Sequence, residues 1–135
     1  MPKLVLALGS PTLDKLTSAG VIMTGAAADD MEIEVFILVN AGHAFKKNAV
    51  INQMSDNTQS ADEFNAELTR LNSSNWIELF EMSKELTDVK IHVCSLAGKI
   101  ARAEQMEDFI DIVDDICGIG EYITCSQEAD VNLFI

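Results

Sequence analysis

Basic side chains are scarce in this chain: nine Lys and Arg stand against 22 Asp and Glu, giving a formal net charge of −13. A surface so short of cations disfavours nucleic acid and anionic lipid as partners, because both require a basic face. It favours solubility. Proline is nearly absent, with two residues, while 48% of the chain is apolar, a composition that builds a core and argues against disorder. No apolar run approaches the ~18 residues that would suggest a membrane span. The first such run, Lys3-Leu-Val-Leu-Ala-Leu8, breaks at Gly9-Ser10-Pro11. It is shorter than the ~7–15 apolar residues of a secretory signal and reads as a first strand.

Cysteine is sparse too. Three residues, Cys94, Cys117 and Cys125, form neither an even-numbered framework nor a CxxC pair, so a secreted disulfide scaffold is not expected and a reducing cytoplasm is. With His43 and His92 they lack any metal-ligand spacing. No metal or cofactor is therefore expected, and a zinc site drawn together from distant segments is the one arrangement left open. The turn after the first strand has Asp14 before Lys15 and Leu16 after it, where a phosphate loop needs Gly and Ser or Thr. GxGxxG is absent as well, and Gly118-Ile-Gly120 marks a turn. No Ser sits between elbow glycines, which leaves no basis for a hydrolase triad. Acid pairs such as Asp29-Asp30 and Asp114-Asp115 read as solvated surface, since adjacent residues rarely face the same way.

At 135 residues the chain is about one ordinary domain. Leu4 to Leu8 is a run suited to a strand covered on both faces. Ser10 with Pro11 signals a helix start, and Leu13, Leu16, Gly20, Met23 and Ala27 follow at helical spacing. Glu32 to Asn40 predicts a second strand, with a loop over residues 41–47. Residues 55–63 are polar and expected to be exposed or mobile, before a short helix around Phe64, Leu68 and Leu71. Asn75 with Glu78 predicts a capping box opening a helix that carries Trp76, Leu79, Phe80, Ser83 and Leu86. Val89 to Cys94 is the third strand. Beyond it, Glu104 to Phe109 reads as helical, Ile110 to Ile116 holds a short strand, residues 118–128 fit helix or strand, and Val131 to Ile135 is a terminal strand. Strands alternating with helices predict a three-layer α/β/α sandwich on a mainly parallel five-stranded sheet.

The chemistry centres on Cys94. Ligands of open parallel sheets bind beyond the carboxyl ends of the strands, and this thiol falls at that end of its strand. No acid occurs between Asp88 and Glu104, where Lys90, His92, Lys99 and Arg102 stand. A second acid-free interval, from Glu34 to Asp56, holds His43, Lys46 and Lys47. Both intervals follow strands, which predicts a positive rim at the carboxyl edge that would favour thiolate and attract a small anion. In that reading Cys94 is the nucleophile, and His43, Lys99 and Arg102 bind substrate. Cys117 and Cys125, by pattern alone, read as inert buried thiols, and His92 as a structural residue inside its strand. The plainer account of Cys94 is a packed core thiol.

The run EVFILVNAG with Gly42, the helix WIELFEMSKELTD leading into VKIHVCS, the acidic segment with MEDFI, the glycine turn and the terminal ADVNLFI together resemble the DsrE/DsrF-like family of small sulfur-metabolism proteins. The likeness covers most of the chain. It implies a homo-oligomer that carries sulfur as persulfide or thiosulfonate on Cys94, and a helix across residues 120–128. The expected activity is therefore that of a cytoplasmic, cysteine-dependent sulfurtransferase or sulfur carrier. Its partners would be a small sulfur-containing anion and a sulfur-acceptor protein. The alternative is a non-catalytic oligomeric module that binds a small anion or a partner protein.

Overall fold

A computed structural model describes residues 1–135. Its centre is a five-stranded sheet in the order β4-β3-β2-β1-β5, formed by β1 (Lys3–Leu8), β2 (Glu32–Ile37), β3 (Val89–Cys94), β4 (Asp115–Cys117) and β5 (Val131–Phe134). Every neighbouring pair is parallel. The helices are α1 (Leu13–Ala28), α2 (Ala61–Arg70), α3 (Trp76–Leu86), α4 (Ser95–Ala101) and α5 (Ile119–Glu128). This is the α/β sandwich that the alternation of patterns predicts.

Strand alternation gives the sheet two unlike faces. Leu4, Leu6, Ile33, Val35, Ile37, Ile91 and Val93 are all nearly inaccessible and lie under α1 and α3. These helices pack closely because Gly20 of α1 has no side chain: a Cβ there would fall 2.7 Å from Leu79 Cβ. An edge-on aromatic group of Phe45, Trp76 and Phe80 extends this layer, with Trp76 centred 5.1 Å from Phe45 and 5.3 Å from Phe80. The opposite face carries Val5, Ala7, Glu34, Phe36, His92, Cys94, Asp115 and Cys117, and α5 lies over it. The step from β4 back across to β5 puts α5 there, since a right-handed crossover in the reverse direction lands on the other side.

Several boundaries differ from the sequence expectation. The first helix is capped at Thr12, not Ser10, and Pro11 precedes the cap. The reason is tertiary: the Leu13 amide donates to the Gln53 carbonyl at 2.9 Å, and Asp14 accepts from the Ser55 amide at 2.9 Å. The polar 55–63 segment is thus exposed yet tied to α1. The second strand stops at Ile37, and Val39–Phe45 forms a 3-10 segment in place of strand end and loop. Gly42 lets that segment abut α4, because a Cβ there would meet the Ala97 carbonyl oxygen at 2.8 Å. Glu104 to Phe109 holds only a 3-10 turn at Met106–Asp108. The capping box at Asn75 forms as expected, with both hydrogen bonds at 2.9 Å, and a second box at Ser60 opens α2. Residues 119–128 are helix, and the terminal strand pairs with β1.

Candidate functional site

Cys94 is the last residue of β3 and the one that caps α4, so its thiol sits at the carboxyl edge of the sheet. It is 7% exposed and shares the wall of a hollow of about 280 Å³ with Leu38, Val39, Ser95, Leu96 and Ile119. The lining is apolar apart from Ser95. Val39 holds φ 49°, a left-handed conformation that is uncommon for a β-branched residue, and it turns the chain at the rim of this hollow. Cys94 is also the register partner of Cys117, the last residue of β4. The strand order reverses elsewhere, between β1 and β5. There the largely exposed ring of Phe134 lies against Gly9, where a Cβ would come within 2.8 Å of it.

Beneath α5 a row of charged side chains crosses four strands. Lys3 Nζ bonds Glu34 at 2.6 Å and Glu32 at 3.2 Å. Glu34 Oε1 meets His92 Nε2 at 2.9 Å, and His92 Nδ1 meets Asp115 Oδ1 at 2.6 Å. The Cys125 thiol donates to Glu34 Oε2 at 3.2 Å. Parallel register makes this row possible, since His92 stands opposite Asp115 on β4 and Phe36 on β2. Phe36 stacks on the imidazole with centroids 4.7 Å apart.

Burial opposes charge on His92, but its hydrogen bonds to Asp115 and Glu34 outweigh burial and hold its pKa above the usual histidine range. Burial likewise opposes charge on Glu34, yet Lys3, His92 and Cys125 together keep its pKa below the ordinary carboxylate range. The carboxylates thus favour the imidazolium form of His92 and the cations favour the carboxylate form of Glu34, so the row is a hydrogen-bonded ionic ladder. The two flanking thiols are pushed the other way. Burial, with Glu121 beside it, raises Cys117 to about 12, and burial with Glu34 raises Cys125 to about 11.

The residues singled out from sequence are scattered. His43 is exposed on the 3-10 segment and lines a separate depression with Pro11, Ala44, Val50, Ile51, Asn52 and Gln53. Lys99 is in the last turn of α4, and Arg102 is its C-cap; both are exposed. None of the three borders the hollow at Cys94. The positive rim inferred from acid-free intervals is thus not assembled around the thiol, because α4 carries its cations away from the end that Cys94 caps. Asp114 and Asp115 are exposed, as their sequence suggests, and both are also engaged: Asp114 Oδ2 accepts from Lys84 at 2.6 Å and from the Ile91 amide at 2.8 Å, while Asp115 holds His92. They do face different ways.

Glu34 and Asp115 were not expected at a site. The available signal was the alternation of Glu34 and His92 with apolar neighbours, which puts polar groups on a covered face of a sheet. A ring nitrogen of His92, Cys117 Sγ and a Glu121 oxygen also lie within 4.8 Å of one another, a set able to hold a metal ion. Comparison of the chain with protein-family models and with curated proteins finds no match.

Proposed function

We propose that the protein is a sulfur carrier or sulfurtransferase of the DsrE/DsrF-like kind, with Cys94 as the loaded residue. The observation that carries this reading is the position of Cys94 at the carboxyl edge of β3, in the wall of a small apolar hollow. A sulfur atom bound there would be shielded from bulk water while remaining open to a small donor. With thiosulfate, the Cys94 thiolate attacks the sulfane sulfur, the S–S bond of the donor breaks, and sulfite leaves with its electron pair, giving a Cys94 persulfide. An acceptor thiolate then attacks the outer sulfur and releases the Cys94 thiolate. The transferred sulfur needs no cofactor.

Lys99 and Arg102 serve in this reading as exposed charges that draw an anion toward the edge, rather than as contacts at the thiol. His43 takes no part. The acceptor is a protein thiol in a reducing compartment, the cytoplasm. The carrier is a homo-oligomer, supported by apolar side chains left exposed on α5 and the edge strand β5: Ile119, Ile123, Leu133 and Phe134. No helix is long and apolar enough to cross a membrane.

One observation favours the rival reading of a non-catalytic oligomeric binding module. The hollow presents no charged group to Cys94. Sulfur loading of native protein against Cys94→Ser, read by intact mass, decides between the two.

A further inference from the structure

His92, Cys117 and Glu121 reach one point from three elements. His92 lies within β3, Cys117 ends β4, and Glu121 is in the first turn of α5. The strand-to-helix turn through Gly118, Ile119 and Gly120 brings the carboxylate back over the thiol that precedes it. Neither glycine has another atom within 4 Å of where a Cβ would stand, so the turn is open to solvent on that side. Cys117 is 9% exposed, His92 5%, and Glu121 lies at the surface, which gives two buried donors and one exposed donor at the entrance.

The local charge also calls for a cation. Glu34, Asp115 and Glu121 gather around His92 and Cys117, and once the His92 proton is displaced the remaining cation of the row, Lys3, is already shared between Glu32 and Glu34. Imidazole, thiol and carboxylate together suit a borderline ion and not Mg²⁺ or Ca²⁺, which take all-oxygen shells. Three protein donors leave the fourth position for water.

We propose that His92, Cys117 and Glu121 form a binding site for one borderline divalent transition-metal cation of the zinc class. Coordination displaces the Cys117 thiol proton and the proton on the coordinating His92 nitrogen to solvent. That nitrogen gives up its carboxylate partner, and the other ring nitrogen keeps its own, the outer hydrogen bond that orients a ligating imidazole. The proposal does not depend on sulfur chemistry at Cys94.

The test uses the full chain, stripped with chelator under reducing conditions and titrated with Co(II) followed by optical absorption, with Zn(II) as competitor. The expected result is one equivalent bound, with a thiolate-to-cobalt charge-transfer band and the intense visible bands of a four-coordinate ion. These bands should persist in Cys94→Ser and Cys125→Ser, vanish in Cys117→Ser, and disappear from native protein as Zn(II) is added. Glu121→Gln, at an exposed helical position, should weaken binding at least ~10-fold, judged by the loss typical of altered metal surroundings. It decides the matter if Cys117→Ser does not fold. Absence of a thiolate band in native protein, its survival in Cys117→Ser, or unchanged affinity in Glu121→Gln would overturn the proposal.

Discussion

Cys94 and Cys117 stand side by side as register partners at the carboxyl ends of β3 and β4, yet their surroundings differ. Cys94 opens on an apolar hollow, whereas burial and the Glu121 carboxylate push Cys117 up to about 12. At neutral pH Cys117 is almost wholly thiol and a poor nucleophile. Alkylation with iodoacetamide near pH 7 in the presence of chelator, mapped by peptide mass, should therefore label Cys94 well before Cys117. Equal labelling, or faster labelling of Cys117, would reverse the assignment of roles.

The approach of the 3-10 segment to α4 sets the width of the hollow, and Gly42 governs that approach. Adding a methyl group at Gly42 drives it into the Ala97 carbonyl, 2.8 Å away. Gly42→Ala should cost about 1–3 kcal/mol in urea unfolding, the range for overpacked sites. Gly25→Ala is the contrast: it lies exposed in α1 with nothing within 4 Å of the new atom. It should gain about 0.5–1 kcal/mol from the better helix former. A Gly42→Ala protein as stable as native would show that the segment gives way freely.

Val39 stores strain at the rim of the same hollow. Its φ of 49° suits glycine, and the side chain is 47% exposed, so Val39→Gly sacrifices little burial. Relief of a strain of order 1–3 kcal/mol should match or exceed the added freedom of the unfolded chain, and the midpoint of thermal unfolding should not fall. A clear drop would mean that the valine side chain contributes packing that its exposure does not reveal.

The ionic ladder makes stability depend on pH through His92. Its folded pKa is raised above the reference value of 6.5 by Asp115 and Glu34, despite burial. The imidazolium therefore contributes its full stabilisation below pH 6.5 and loses it as pH rises through the folded pKa. Lys3, Cys117, Glu121 and Cys125 border the same row, so the comparison should be made with metal-free protein and His92→Asn. The stability difference between native and variant, measured by denaturant unfolding, should shrink as pH is raised from 6.5. A difference that stays flat or grows with pH would contradict the assigned charge state.

Local patterns made much of this fold readable. β1 and β3 appear as apolar and alternating runs, and the Asn75 capping box marks the start of α3 to the residue. What was hidden depends on partners far along the chain. The start of α1 is set by Gln53 and Ser55, and the 3-10 segment after β2 packs its Gly42 on Ala97 of α4. The site divides in the same way. Periodicity places Cys94 at the carboxyl end of its strand, but its neighbours follow from strand order and register. Those join Glu34, His92 and Asp115 across three strands and give Cys94 the company of Cys117. Counting charges along the chain suggested a rim of cations, whereas the course of α4 carries Lys99 and Arg102 to its far end.

Whether Cys94 carries sulfur is decided by loading the protein with a sulfane donor. Native protein and Cys94→Ser are incubated without reductant with thiosulfate, tetrathionate or polysulfide, and their intact masses are compared before and after treatment with dithiothreitol. Reducible sulfur-containing adducts are expected on native protein and on Cys117→Ser, and none on Cys94→Ser. A native protein that stays unmodified, or a Cys94→Ser protein that loads equally well, would contradict the sulfur-carrier reading and leave Cys94 as a packed thiol at the edge of the core.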